Sequence, residues 1–210
     1  MALSKFKPAS FDLTDNYAFT GTTTGVTDTN QLVLIKTLTA SSSNTLSFVN
    51  GASSVVLDAT YKTYLFKFID IHPATNNVDF VINYTTDGTN FNVTQTSSMF
   101  AAGHAEDASA TLLEYRGGAD VAQGTNPQVA ENLGNGNDEC FSGELFLFNP
   151  SSTTFVKRWQ GNTATYNQAN YSLNHFSAGY ANTTSAVTGV EFKMSSGNID
   201  LGTIKLYGIL

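Results

Sequence analysis

Charge is scarce in this chain: only 13% of its 210 residues are Asp, Glu, Lys or Arg, roughly half the share of an average soluble protein. Lys and Arg together number ten, against 17 acids, for a formal net charge of −7. So few cations cannot neutralise a run of phosphates, which argues against a nucleic-acid-binding role. Cysteine occurs once, at Cys140. That excludes an intrachain disulfide and suits folding in a reducing cytoplasm, with the thiol expected to be buried. Nowhere do about 18 apolar residues run together, and Met1 to Ser10 hold lysines but no apolar stretch of signal length. The expectation is a chain made soluble in the cytoplasm, with no membrane insertion and no secretion by a signal peptide.

Helix formers such as Glu, Lys and Arg are also sparse, and no segment keeps a helical period for three turns. What fills the gap is Thr, Val, Tyr and Phe, which suit half-buried pleated strands, and Gly, Asn, Ser and Asp, which supply turns. The length suits one domain able to bury a core without disulfides or metals.

Residues 1–30 differ from the rest. Lys5, Lys7 and Pro8 precede Phe11, Leu13, Tyr17 and Phe19, and a Gly and Thr run follows from Thr20 to Thr29. The aromatic and apolar positions mostly keep a two-residue period, so one side of an extended arm can lie on a partner surface. An ordinary first strand on its own domain is the alternative. From residue 31 the chain reads as a β-sandwich domain of about ten strands. They cover Leu32–Leu38, Thr45–Val49, Tyr61–Ile71, Val78–Thr85, Phe91–Thr96, Phe141–Phe148, Thr154–Trp159, Phe176–Asn182, Val187–Ser195 and Thr203–Ile209. The Asp87-Gly88 pair between Val78–Thr85 and Phe91–Thr96 predicts a hairpin. Alternation places Phe66, Phe68, Leu145, Leu147, Phe192 and Leu206 on inward faces. The Gly-rich segment 101–139 shows few β-rich runs and is expected on an exposed end. The fold class is all-β, a jelly-roll-like two-sheet sandwich with an extended N-terminal arm.

Chemistry-bearing patterns are thin. His72, His104 and His175 lie far apart without a second His or Cys at ligand spacing, so no zinc site or other cofactor is expected. His104, Glu106 and Asp107 read as a polar turn. Asn135, Asn137, Asp138 and Glu139 around Gly136 lack the spacing of a calcium loop and read as turn chemistry. No Ser sits in a hydrolase elbow, and no local feature favours a glycosidase carboxylate pair, so no catalytic residues are assigned. Trp159, Tyr166 and Tyr171, with Tyr180, lie in an Asn-rich stretch. Rings beside amides are what a glycan-contacting surface uses, with core packing the competing explanation.

Several segments carry a resemblance. ALSKFKPASFDLTDNYAFTGT, YKTYLFKFIDIHPAT, HAEDAS, GELFLFNPSSTTFVK and FKMSSGNIDLGTIKLYGI resemble, in order, segments of structural proteins carried by marine bacteriophages, the cyanophage and pelagiphage kind. The opening segment is similar to one that precedes differing modules in such phages, which implies an adaptor arm. The resemblance implies a non-enzymatic virion protein made in the host bacterial cytoplasm. Its expected role is an exterior accessory one: a capsid decoration or cement protein, or a tail fibre or appendage subunit. Its expected partners are other virion proteins of capsid or tail, and copies of itself in a homo-oligomer, with a trimer as the guess. Phe11, Leu13, Tyr17 and Phe19 are the expected anchoring residues. The alternative is a carbohydrate-binding host-adsorption module of the tail, touching a host surface glycan; a polysaccharide-degrading enzyme is the weakest reading.

Overall fold

The computed structural model describes residues 32–210 as thirteen strands with no helix among them. The strands are β1 Leu32–Thr39, β2 Leu46–Val49, β3 Thr63–Pro73, β4 Val78–Thr85, β5 Gln95–Ala105, β6 Thr111–Tyr115 and β7 Ala122–Gly124. They continue with β8 Gln128–Leu133, β9 Phe141–Phe148, β10 Lys157–Tyr166, β11 Tyr171–Ala181, β12 Gly189–Met194 and β13 Ile199–Ile209. The arm expected over residues 1–30, with Phe11, Leu13, Tyr17 and Phe19, lies outside the described residues.

Two antiparallel sheets form a β-sandwich. The larger runs β1-β13-β3-β9-β10-β11-β5-β6, with β7 also on β5; the smaller runs β2-β12-β4-β8. The chain crosses repeatedly between them: β1, β3, β9 and β13 lie in the large sheet, and β2, β4, β8 and β12 in the small one. Strands β5 to β7 and β10 to β11 are additions that widen the large sheet beyond β9.

Alternation explains the core. On β3, Tyr64, Phe66 and Phe68 point inward and are at most 2% exposed, while Lys67 between them faces out. The inner face of the small sheet answers with Phe48, Phe80, Ile82 and Phe192, all fully buried. Phe66 meets Phe48 and Phe192 edge-on at centroid distances of 5.4 and 5.1 Å, and Phe68 meets Phe80 and Phe192 at 5.5 and 5.2 Å. Edge-to-face pairs of this kind add about 0.5–1.5 kcal/mol beyond the area they bury. The other inward positions read from the sequence, Leu145, Leu147 and Leu206, are also fully buried.

The expected hairpin is corrected. The Asp87 turn forms: its carboxylate accepts from the Thr89 and Asn90 amides at 2.8 Å, and Gly88 holds φ +80°. Its two arms form no ladder, however, although the Val93 amide donates to the Tyr84 carbonyl at 3.2 Å. β4 lies in the small sheet between β12 and β8, and β5 lies in the large sheet against β11. Asp-Gly specifies a reversal, but the burial of Phe80 and Ile82 on one sheet and Met99 and Ala101 on the other decides that the arms separate. The segment 101–139 is likewise not a loop end. It holds the end of β5 and all of β6, β7 and β8, and Val129, Ala130 and Leu133 of β8 are fully buried. Short Ala-, Gln- and Asn-containing strands have too little β-branched or aromatic content to stand out.

Because Phe66 packs against two rings of the opposite sheet, Phe66→Ala is expected to lower the unfolding free energy by about 3–5 kcal/mol through lost burial and a cavity. Urea denaturation of parent and variant measures it; a loss below about 1 kcal/mol means the ring contributes no cross-sheet packing.

Candidate functional site

Beyond β9 the inner face of the large sheet keeps Trp159, Leu173 and Met99 but includes a small, polar stretch. Thr163 and Thr165 on β10, His175 and Ser177 on β11, and Ala101 on β5 are all buried. The cover is β8: Val129 accepts a 3.0 Å hydrogen bond from the Thr163 hydroxyl, and Glu131 enters the same space. The Glu131 side chain is 8% exposed, pairs with the Arg116 guanidinium, and has its Oε1 3.7 Å from Nε2 of the fully buried His175. Arg116, just after β6, also pairs with Glu114. Burial pushes the Glu131 carboxyl up, but His175 and Arg116 pull harder and hold it below its ordinary value. Asp79 on β4 moves the other way, raised by burial first and then by the Glu131 charge, although the Asn132 amide donates to it at 3.0 Å. The arrangement ties β6, β8 and β11 together. No group of three His, Cys, Asp or Glu side chains among the described residues is placed to hold a metal.

A second feature is a pocket of about 490 Å³ where β3 and β13 both break register, lined by Ile69, Asp70, His72, Asn137, Cys140 and Asp200 with Leu201, Gly202 and Thr203. Asp70 holds φ +50°. Gly202 holds φ +118°, where a Cβ would stand 2.6 Å from the Asp70 carbonyl oxygen. His72 Nε2 lies 3.0 Å from the Gly136 carbonyl, and its Nδ1 is 3.5 Å from Asp200. Burial, and then the Asp70 charge, push the Cys140 thiol up. A raised thiol holds less thiolate, and so is less nucleophilic, at neutral pH. Cys140 is half-buried rather than fully buried. His104 is not part of either feature: its Nδ1 lies 2.7 Å from the Ala105 carbonyl, and Asp107 caps the Ser109 amide.

The three residues expected to contact a glycan separate in space. Trp159 is 2% exposed. Its ring lies over Gly179, its cross-strand partner, where an added Cβ would approach to 2.9 Å. It therefore offers no face to a ligand, and that expectation is corrected; core burial on an alternating strand is the reason. Tyr166 and Tyr171 flank the β10–β11 turn. The Tyr166 hydroxyl donates to Glu106 at 2.6 Å, a bond that pushes the phenol up to about 12. Tyr171 lines a small pocket of about 280 Å³ with Glu106, Asp107, Ser109 and Asn170. Tyr180 lies on β11 away from that turn, opposite Arg158.

The outer face of the large sheet is the feature that single-residue reasoning missed. Reading across the ladders, one row is Asn162, Phe176, Phe100 and Tyr115; a second is Gln160, Ala178 and Ser98; a third is Ala164, Asn174, Ala102 and Leu113. None of these residues is charged; charge returns on the same face beyond them, at Arg158 on β10 and along the first row at Glu144, Lys67 and Lys205. Phe100 and Phe176 stack at 4.9 Å and stay 46% and 37% exposed; Leu113 and Tyr115 are 76% and 60% exposed. Further along the same face, Phe146 and Phe148 stack at 6.3 Å. Register alone could have located this face, because the outward positions alternate with core positions already legible on β9.

No helix among the described residues is long and apolar enough to cross a membrane. Compared with protein-family models, with curated proteins and with solved structures, the chain finds no match.

Two outcomes follow from the buried groups. Glu131 is lower in the folded than in the unfolded state, so its contribution is complete above the ordinary value of 4.5 and is lost as pH falls through the folded value. Glu131→Gln is expected to cost about 2–3 kcal/mol at pH 7, toward the low end for a broken buried pair because Arg116 is partly exposed. The variant is also expected to lose less stability than the parent between pH 7 and about 3; equal slopes in denaturation across that range would remove Glu131 as the source. Cys140, with its raised thiol, is expected to react with iodoacetamide at pH 7.5 more slowly than a free cysteine does, and alkylation followed by mass spectrometry reads the rate.

Proposed function

We propose that this chain is an exterior structural component of a phage particle, a capsid decoration or cement protein or a fibre or appendage subunit. The observation that carries the reading is the stretch of the large sheet's outer face from Asn162 on β10 across β11 and β5 to β6, where no charged residue stands in the rows around Phe100 and Phe176. Exposed Phe100, Phe176, Leu113 and Tyr115 sit there among amides and small residues in a chain of net charge −7. Protein interfaces are depleted in charge and enriched in aromatics at their centres, and an exposed apolar patch marks a surface that is covered in use. Other virion proteins are the occupants this reading assigns to that face, and the virion is the protein's place of action.

The strand order supports the same reading. Four strands, β1-β13-β3-β9, oppose four others, β2-β12-β4-β8, with the chain alternating between the sheets; we read this as a jelly-roll framework of two Greek keys, widened by the β5–β7 and β10–β11 additions. The segments similar to marine phage proteins add the particle context. Phe11, Leu13, Tyr17 and Phe19 are assigned to anchoring. About 25 extended residues reach up to roughly 80–90 Å, enough to cross an adjacent subunit. A glycan-binding role is not carried forward, since Trp159 is buried and the Tyr166 hydroxyl is committed to Glu106.

The test is particle-based. Purified virions labelled with an antibody to this chain and viewed by electron microscopy are expected to show label on the particle exterior, with a copy number from quantitative mass spectrometry matching one symmetric set of sites. Replacing Phe11, Leu13, Tyr17 and Phe19 together by Ser in the full chain is expected to leave the circular dichroism spectrum unchanged and to yield particles that lack this protein. Virions without the chain, or normal incorporation of the variant, would overturn the assignment.

A further inference from the structure

The large sheet ends in two strands that complement each other. Among the described residues, β1 pairs only with β13 and β6 pairs only with β5, so each leaves one edge of backbone N–H and C=O groups unpaired. Exposed edges bearing apolar side chains are templates for another strand and are normally blunted or covered. Both are blunted on the inner side, β1 by the register break after Leu34 and by Lys36, β6 by its five-residue length and Glu114, but their outward sides remain apolar among the described residues. On the outward side β1 shows Leu32 and Leu34, 49% and 52% exposed, and β6 shows Leu113 and Tyr115.

Three properties match the edges to one another. Every neighbouring pair from β1 across to β6 is antiparallel, so the first and last strands of the row run in opposite directions. Setting β6 of one copy beside β1 of the next therefore continues the alternation with the same face outward. The apolar residues then fall on one face. Leu34 is opposite Tyr207 and Leu113 is opposite Ala102, both on the outer side; Lys36 is opposite Leu206 and Glu114 is opposite Ala101, both on the inner side. Finally, the charges are of opposite sign. Each edge strand holds one charged residue, Lys36 on β1 and Glu114 on β6, the latter also paired with Arg116, and both stand on the inner side. An edge meeting its own kind, β1 on β1 or β6 on β6, would set like charges together.

We propose that copies of this chain associate head to tail, the β6 edge of one adding to the β1 edge of the next so that the large sheets become continuous. This rests on the structural reading above and names the partner of that sheet's edges. Backbone hydrogen bonds provide the affinity and the apolar pairs provide the register, as in strand addition generally. Such an interface joins two different patches. It therefore closes into a ring when the rotation permits, and a trimer is one such closure. Each copy in a closed ring holds two interfaces, which compensates for the small area of a five-residue strand.

The test uses the purified full chain and two variants with substitutions at side chains about half or more exposed, Leu34→Asp on β1 and Leu113→Asp on β6, each placing a charge among the apolar side chains of the joined edges, with like charges where the two altered edges would meet. Sedimentation velocity at high protein concentration is expected to show the parent as an oligomer and each variant alone as a monomer, with circular dichroism unchanged. An equimolar mixture of the variants retains one intact β1 edge and one intact β6 edge, and is expected to give 1:1 dimers and nothing larger. A monomeric parent overturns the proposal. So does a variant that assembles as the parent does, which would put the contact on the sheet face or place residues 1–31 over the edges, and so does a mixture that stays monomeric. These outcomes are independent of whether label is found on virions, so failure here leaves the particle assignment standing, and the reverse.

Discussion

Phe68 stands between the two sheets with its ring 5.5, 5.8 and 5.2 Å from those of Phe80, Phe141 and Phe192, and Phe66 one rung along touches Phe48 and Phe192. These rings come from five strands, β2, β3, β4, β9 and β12, that are distant in sequence and divided between both layers. A fully buried Phe contributes about 1.5–3 kcal/mol, so this layer is where the two sheets gain most by staying aligned. It also fixes register, since a one-residue slip of β3 would put Lys67 into the core and Phe66 and Phe68 into solvent.

The widened part of the large sheet is built differently. Around Thr163, Thr165, His175 and Ser177 its inner face holds no aromatic layer, and β8 comes down onto it through the Thr163 to Val129 bond and the Arg116, Glu131 and His175 contacts. Removing one member of such a buried pair leaves the other uncompensated. The pair therefore holds β8 in position more than it adds net stability, and this allows β10, β11, β5 and β6 to extend the flat outer face beyond the sandwich proper.

That outer face gives the low charge content a physical role. Asn, Gln, Ser, Thr and Ala occupy many of the outward positions of β10, β11 and β5 where a monomeric protein of ordinary composition would carry Lys and Glu. Asn has a second use: Asn77, Asn126, Asn132, Asn149 and Asn170 all hold positive φ, a conformation that Asn tolerates better than most residues. The Asn-rich stretches are thus turn and surface chemistry first.

Much was legible in the residues alone. The all-β class, the boundaries of β9 and β4, and the inward faces of β3, β9, β12 and β13 follow from alternation and turn chemistry, which act over a few neighbouring residues. β6, β7 and β8 were not legible, because Thr111–Tyr115 and Gln128–Leu133 become strands by pairing with β5 and β4 rather than by propensity. For Trp159 the residues left both a glycan-contacting surface and core packing open, core packing being the favoured reading, until β11 placed Gly179 opposite it. The Asp87 turn specified a reversal but not whether its arms would pair. Local sequence determines which segments are strands and which of their faces is dry. Which sheet each strand joins, and which side chains become neighbours across eight strands, depends on pairings between residues far apart in the chain, and only the folded tertiary structure decides those.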